Sequence, residues 1–277
     1  MGLVEVFALP THLRAASERM AEVLRGSEFD ALFLNISRRL NKLVKALAEG
    51  APYEEFIERA REEALIPGPL SSWEYTEKPI LLAVRGILNE RPELEIWCYK
   101  RPEAAQLSAR VAEEIARLVL RTCLTGKVDL DEWRSLLRRF SEASAGFLED
   151  EAEYVAERAR GKERAICISG INGRRLKEHL SRCRVEASLS YPVVPYHLTP
   201  IEVLVREVER GRRGSVEDDE RIIKIIRYHV NFVRDYVLTS RTYDEAYFKW
   251  VKHVVSWMRF RRVPLPKAYT IEGSPKF

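Results

Sequence analysis

Three groups of residues in this 277-residue chain have types and positions suited to chemistry. His12 comes shortly after an apolar segment, and open α/β sheets bind ligands where strands end, so its imidazole is placed to bind a ligand or transfer a proton. Lys100 and Arg101 precede a predicted helix, whose N-terminal dipole favours anions. Gly170–Gly173 is a glycine-bounded turn of the kind that cradles phosphate. Each group also has a structural explanation: a helix cap, a salt bridge with Glu103, and the backbone freedom of glycine.

The cysteines and histidines do not form a metal-binding pattern. None of the four cysteines belongs to a C-x-x-C pair, and no cysteine and histidine pairs have zinc-finger spacing. Cys98 and Cys167 lie in apolar segments, where a cysteine usually packs as a small hydrophobic residue. His197, His229 and His253 are far apart in the sequence. We therefore expect no metal ion and no cofactor.

Apolar segments alternate with amphipathic helical segments in the first two thirds of the chain, which predicts parallel βαβ units. Strands are predicted at 3–9, 30–36, 94–99, 163–169 and 185–189. Helices are predicted at 13–24, 38–48, 53–64, 77–90, 101–123, 129–137, 143–160 and 174–181, and further on at 201–210, 218–238 and 243–260. The sequence thus predicts an α/β fold with a Rossmann-like, mainly parallel sheet flanked by helices over residues 1–190. Residues 191–277 form a helical, basic C-terminal extension that we expect to pack on this core.

Composition narrows the class of protein. Hydrophobic residues make up 46% and charged residues 32% of the chain, and the net charge is +4. These values are typical of a globular protein, and no apolar run approaches the ~18 residues of a membrane span. The N-terminus has no basic region followed by an apolar one, so we expect a cytoplasmic protein without a membrane role. The chain contains one glutamine and five asparagines, and this scarcity of amides indicates a thermophile.

Four short segments, each at the end of a predicted strand, are similar to motifs of one known superfamily. They are Leu9–His12, Leu34–Arg39, Tyr99–Pro102 and Ser169–Gly173. In order and spacing they resemble the TraB/ChaN/erythromycin-esterase-like superfamily, which includes the Tiki-type metalloproteases. The resemblance covers residues 3–189. It implies a Rossmann-like α/β core with a site at the C-terminal ends of the strands.

The resemblance also assigns individual residues. His12 corresponds to the histidine of the family's Gly-Thr-x-His motif, and Arg39 to the arginine that follows the family's second strand. Asn35 and Lys100 stand where the family has acids, and Asn172 stands in place of a second histidine. An asparagine keeps hydrogen-bonding capacity but has no charge and no proton affinity. The matched positions therefore have altered chemistry.

We therefore expect a diverged, non-catalytic protein, a pseudoenzyme, that binds a small anionic ligand or a protein partner at the strand ends. The predicted site residues are His12, Asn35, Arg39, Lys100, Arg101 and Asn172. The alternative is a metal-dependent or acid/base hydrolase in which His12 is catalytic and acids come from elsewhere in the chain. The sequence indicates no particular oligomeric state.

A third alternative concerns the C-terminal end of the chain. From Lys249 onward there are seven basic residues and one acid, Glu272, with aromatic residues between them. Such a segment suits phosphate backbones, and its aromatic rings suit base stacking, although the same rings can instead pack a helix on the core. The predicted nucleic-acid-binding residues are Lys249, Lys252, Arg259, Arg261, Arg262 and Lys267.

Overall fold

The computed structural model describes residues 2–193, 195–212 and 218–261, without the side chains of residues 210–212 and 255–261. It contains a five-stranded sheet in which every strand pairing is parallel. The strands are β1 (Leu3–Ala8), β2 (Ala31–Ser37), β3 (Glu95–Lys100), β4 (Arg164–Ser169) and β5 (Glu186–Ser190), in the order β3-β2-β4-β1-β5. Helices flank this sheet, so the predicted α/β class with a Rossmann-like, parallel sheet is confirmed.

The connections between the strands place helices on both faces of the sheet. Between β1 and β3 lie α1 (Arg14–Gly26), a 3-10 turn (Arg38–Leu40), α2 (Asn41–Ala48), α3 (Tyr53–Glu62), α4 (Leu70–Val84) and α5 (Ile87–Glu90). After β3 come α6 (Pro102–Thr125), α7 (Leu130–Ala159) and, beyond β4, α8 (Gly173–Arg182). The connections from β1 to β2 and from β2 to β3 lead toward the edge of the sheet that β3 forms. The connections from β3 to β4 and from β4 to β5 lead toward the opposite edge, which β5 forms. Because parallel crossovers are right-handed, the two directions put their helices on opposite faces.

Each face of the sheet has its own apolar core, because successive residues of a strand point to opposite faces. On the face covered by the earlier helices, Leu32 of β2 belongs to one buried cluster with Met20 of α1 and Leu81 of α4. On the other face, the next residue, Phe33, belongs to a second cluster with Val155 of α7. Burial on both faces explains why the strands appear in the sequence as nearly continuous apolar runs.

Helix α4 differs from its prediction. The helix predicted at 77–90, with Pro79 in its first turn, begins instead at Leu70, so that Pro79 lies in the helix interior. Proline has no N–H to donate to the carbonyl four residues earlier, which belongs to Tyr75. Arg14 Nη1 lies 3.4 Å from that carbonyl oxygen and donates to it instead. A contact from α1, distant in sequence, thus compensates for the internal proline.

Helix α7 is longer than predicted. The predicted helices at 129–137 and 143–160 are one continuous helix, Leu130–Ala159. The intervening residues 138–142 contain neither glycine nor proline, so the helix has no local reason to stop there. The first turn of α7 is acidic, with Asp131 and Glu132, as the helix dipole favours.

The chain divides into two compact units. The first consists of Met1–Ala109 and Ser144–Val193, and the second of Arg110–Ala143 and Val194–Phe277. Helices α6 and α7 therefore each supply residues to both units, which a boundary near residue 190 does not describe. The second unit also contains α9 (Pro200–Arg212), α10 (Asp219–Phe232), a π-helical turn (Val233–Val237) and α11 (Tyr243–Arg261). Across the described ranges, no helix has the length and apolarity needed to cross a membrane.

Candidate ligand-binding site

The N-terminus of α6 already holds a carboxylate of the protein. Glu151, on α7, is 1% exposed and accepts from Lys100 Nζ at 2.8 Å. Its other oxygen accepts from the backbone N–H of Arg101 at 3.2 Å. The place where the sequence predicts an anion is thus occupied by a side chain that lies about fifty positions further along the chain. Glu151 keeps Lys100 at the end of β3.

A second carboxylate joins the ends of β2 and β3. Arg38 donates from Nε to the carbonyl oxygen of Tyr99 at 2.9 Å and from Nη2 to Asp150 Oδ2 at 2.6 Å. Arg101 lies 3.9 Å from the other oxygen of Asp150 and also pairs with Glu103 at 3.2 Å. We call Arg38, Lys100, Arg101, Asp150 and Glu151 the strand-end cluster. It combines three cations with two carboxylates.

Asn35 is held by the sheet rather than by this cluster. The Tyr99 hydroxyl lies 2.9 Å from the carbonyl oxygen of Ile168 and 3.1 Å from Asn35 Oδ1. Strands β2 and β4 pair only at their beginnings, over Ala31–Phe33, so the hydroxyl replaces a hydrogen bond that the separated strands do not make. Burial raises the pKa of Tyr99 well above its ordinary value, so the hydroxyl keeps its proton and remains a donor.

The other predicted residues are placed differently. Arg39 is exposed in the 3-10 turn, and its backbone N–H donates to Ser37 Oγ at 3.4 Å. Neighbouring residues in a 3-10 turn project about 120° apart. Hence Arg38, one position before the predicted arginine, joins the cluster. Asn172 is exposed before α8 and contributes its backbone carbonyl, not its side chain, to the helix start. His12 is partly buried in the turn between β1 and α1.

The glycines of the turn 170–173 have a packing explanation. A Cβ atom added to Gly173 would lie 2.8 Å from the Cβ of Ala8, at the end of β1. No side chain fits at that separation without movement, so Gly173 allows α8 to start directly against the strand. Gly170 is less crowded, since an added Cβ would meet Thr11 at 3.7 Å, an ordinary contact. Close packing therefore accounts for the second glycine of the pattern.

An open groove adjoins the strand-end cluster. Its volume is about 400 Å³, and the groove follows the surface of α7. Its lining residues are Arg38, Asp150, Glu153, Tyr154, Glu157 and Arg160. Arg38 lies over the Tyr154 ring at 4.0 Å, and Arg158 lies over the same ring at 3.5 Å. These two contacts hold the Tyr154 ring in place at the groove.

Sequence reasoning missed two polar residues of the same unit. Asn41 accepts from the Cys98 N–H at 2.6 Å and donates to the Cys98 carbonyl at 3.4 Å, as a neighbouring strand would. Glu77 of α4 is partly buried, and the loss of water around it raises its pKa to about 7. The only sequence signal for Asn41 was the rarity of asparagine, and Glu77 had none, because it resembles any helix acid.

The predicted nucleic-acid-binding residues lie at the end of the second unit. Lys249 pairs with Glu245 at 2.7 Å, while Lys252 is exposed, and both belong to α11. Arg259 and Arg261 continue the same helix, but their side chains are not described. Arg262 and Lys267 lie outside the described residues.

Among the described residues, no group of three or more histidine, cysteine, aspartate or glutamate side chains is arranged to hold a metal ion. Comparison with protein-family models, curated proteins and solved structures gives no match for this chain. The resemblance to the TraB/ChaN-like superfamily therefore stays a prediction.

Proposed function

We propose that this chain is a diverged, non-catalytic TraB/ChaN-like protein that binds a small anionic ligand at the C-terminal ends of β2 and β3. The observation that supports this proposal is the composition of the strand-end cluster, in which three cations face two carboxylates. The cations Arg38 and Arg101 lie beside an open groove, and Glu103, an exposed acid that also pairs with Arg101, is the group that an anionic ligand would replace there.

Both carboxylates are already engaged in ion pairs, which favours ligand binding over hydrolysis as the function. Glu151 accepts from an ammonium and a backbone N–H, and Asp150 lies between two guanidinium groups. A carboxylate that turned toward a substrate would leave these cations without partners in a partly buried site, which is unfavourable. Both acids therefore act as supports: Asp150 positions Arg38 and Arg101 for a ligand, and Glu151 holds Lys100 and the start of α6.

Arg101 is the side chain best suited to test the proposal. Its side chain is about one third exposed, so its removal does not leave a fully buried carboxylate unpaired. We expect citrate or inorganic phosphate to raise the melting temperature of the wild-type chain, because a ligand that binds only the folded state stabilises it. For the same rise in melting temperature, the Arg101→Gln variant should need at least a tenfold higher ligand concentration.

Arg19→Gln is the matched control, since Arg19 is also a surface arginine in a salt bridge, with Glu22 at 2.7 Å on α1. It should leave the response to the anion unchanged. Equal responses of the wild type and Arg101→Gln to every anion tested would contradict binding at the strand ends.

A second candidate function, acid/base hydrolysis, is favoured by Glu77. General acid/base catalysis needs a group that titrates near the working pH, and burial raises the pKa of Glu77 to about 7. In this alternative Glu77 and His12 are the catalytic groups, because the two carboxylates of the strand-end cluster are committed to ion pairs.

A screen with ester, peptide and phosphoester substrates tests the hydrolase. If one of them is hydrolysed, Glu77→Gln should abolish the activity. Glu74→Gln, a change in the same helix at a carboxylate bonded to the Tyr53 hydroxyl at 3.1 Å, should retain it. Hydrolysis that survives Glu77→Gln would exclude this role.

A further inference from the structure

One aromatic side chain on the second unit is both exposed and firmly supported. Phe248 of α11 is 52% exposed. Its ring meets the ring of Tyr247 edge-on, with 5.4 Å between centroids. Tyr247 is buried, stacks on Tyr196 at 5.4 Å, and bonds through its hydroxyl to the backbone N–H of His197 at 2.9 Å. Phe248 is thus supported by a buried, hydrogen-bonded side chain while it remains exposed to water.

Basic residues follow Phe248 on the same helix. Lys252 follows Phe248 by one helical turn, is exposed, and has no hydrogen bond or ion pair with any described residue. His253 is also exposed, and its Nδ1 lies 2.9 Å from the hydroxyl of Tyr236 in the π-helical turn, which fixes the imidazole. Lys249 is the exception, because Glu245 neutralises it. We call Phe248, Lys249, Lys252 and His253 the α11 face.

The charge of the chain end supports an anionic partner for this face. Seven basic residues and one acid follow from Lys249 to the last residue, a local charge of +6 in a chain of +4. A second copy of the chain is disfavoured, because a symmetric contact would bring Lys252 close to its own counterpart. A partner that combines flat apolar rings with negative charges matches an exposed ring followed, one helical turn later, by the ammonium group of Lys252.

We propose that the α11 face binds single-stranded nucleic acid, with a base stacked on Phe248 and a phosphate held by Lys252. Every base has a flat face, so an exposed aromatic ring binds single strands without strong sequence preference. The bases of a duplex are already stacked on one another and cannot reach the ring. Tyr247 and Tyr196 prevent the ring of Phe248 from collapsing inward when no strand is bound.

Fluorescence anisotropy of a labelled 20-nucleotide single strand, titrated with the full chain at low salt, tests the proposal. We expect the single strand to bind more tightly than the matching duplex. Phe248→Ala should weaken binding about tenfold, the usual effect of losing one stacked base. Phe248→Leu keeps an apolar side chain without an aromatic face and should weaken binding to the same extent. Lys252→Ala should lower the slope of log affinity against log salt by roughly 0.7.

Tyr228 provides a matched control in the same unit. It is 47% exposed on α10, and Lys224 lies over its ring at 5.9 Å. Tyr228→Ala should leave the affinity unchanged. The proposal is overturned if the single strand does not bind, if the duplex binds equally well, or if Phe248→Ala and Tyr228→Ala have equal effects. Binding that Phe248→Leu retains in full would also overturn it, because contact with the strand would then not depend on stacking.

Discussion

Replacement of Glu151 by glutamine should show how much the buried ion pair at the strand ends contributes to stability. Glutamine keeps the size of the side chain and can still accept from the backbone N–H of Arg101, but it has no charge for Lys100. Removing one partner of a buried ion pair costs about 3–5 kcal/mol. The side chain of Lys100 is 29% exposed, so water compensates for part of this loss. We therefore expect Glu151→Gln to lower the free energy of unfolding by about 2–3 kcal/mol.

Glu22→Gln is a control at an exposed ion pair. Its ion pair with Arg19 has nearly the same length, 2.7 Å compared with 2.8 Å, but both side chains of that pair are more than half exposed. An exposed pair contributes about 0–1 kcal/mol, so we expect Glu22→Gln to change stability by less than about 0.5 kcal/mol. Urea unfolding followed by tryptophan fluorescence measures both variants.

The double variant Glu151→Gln/Lys100→Met completes a thermodynamic cycle. Because it removes both charges, it should be more stable than Glu151→Gln alone by about 1 kcal/mol or more. Equal losses in the free energy of unfolding for Glu151→Gln and Glu22→Gln would show that burial does not strengthen the Lys100–Glu151 pair. Strict additivity of Glu151→Gln and Lys100→Met would show the same.

Three further predictions concern pH and packing. Burial favours the protonated form of Glu77 and raises its pKa from 4.5 to about 7, so its stabilising contribution is complete below pH 4.5 and lost as the pH rises to 7. Glu77→Gln should therefore be more stable than the wild type at pH 8, by up to ~3 kcal/mol, and equal to it at pH 4, in urea titrations at the two pH values. Burial lowers the pKa of His229 from 6.5 to about 4, so the wild type should lose stability between pH 6.5 and 4, and His229→Phe should remove this loss from the melting curves. Gly173→Ala should destabilise the chain by about 1–2 kcal/mol through overpacking, and the additional change Ala8→Gly should restore stability; a Gly173→Ala variant as stable as the wild type would refute the close contact.

Local patterns in the sequence were sufficient for most of the secondary structure. All five predicted strands are present, because strands buried on both faces form apolar runs that stand out from the amphipathic helices between them. The two errors in the helices have local causes. Pro79 suggested a helix start, and residues 138–142 looked like an end although they contain no residue that stops a helix.

The position of Lys100 and Arg101, after a strand and before a helix, was also predictable from local sequence patterns. Their partner was not, because Glu151 lies about fifty positions away and reaches them through the packing of α7 on the sheet. The choice of Arg38 over Arg39 depends on a short 3-10 turn, and the pKa of Glu77 depends on the neighbours that exclude water from it. Hydrophobic periodicity is a property of adjacent residues, whereas charge pairing and desolvation are properties of residues that meet only after folding.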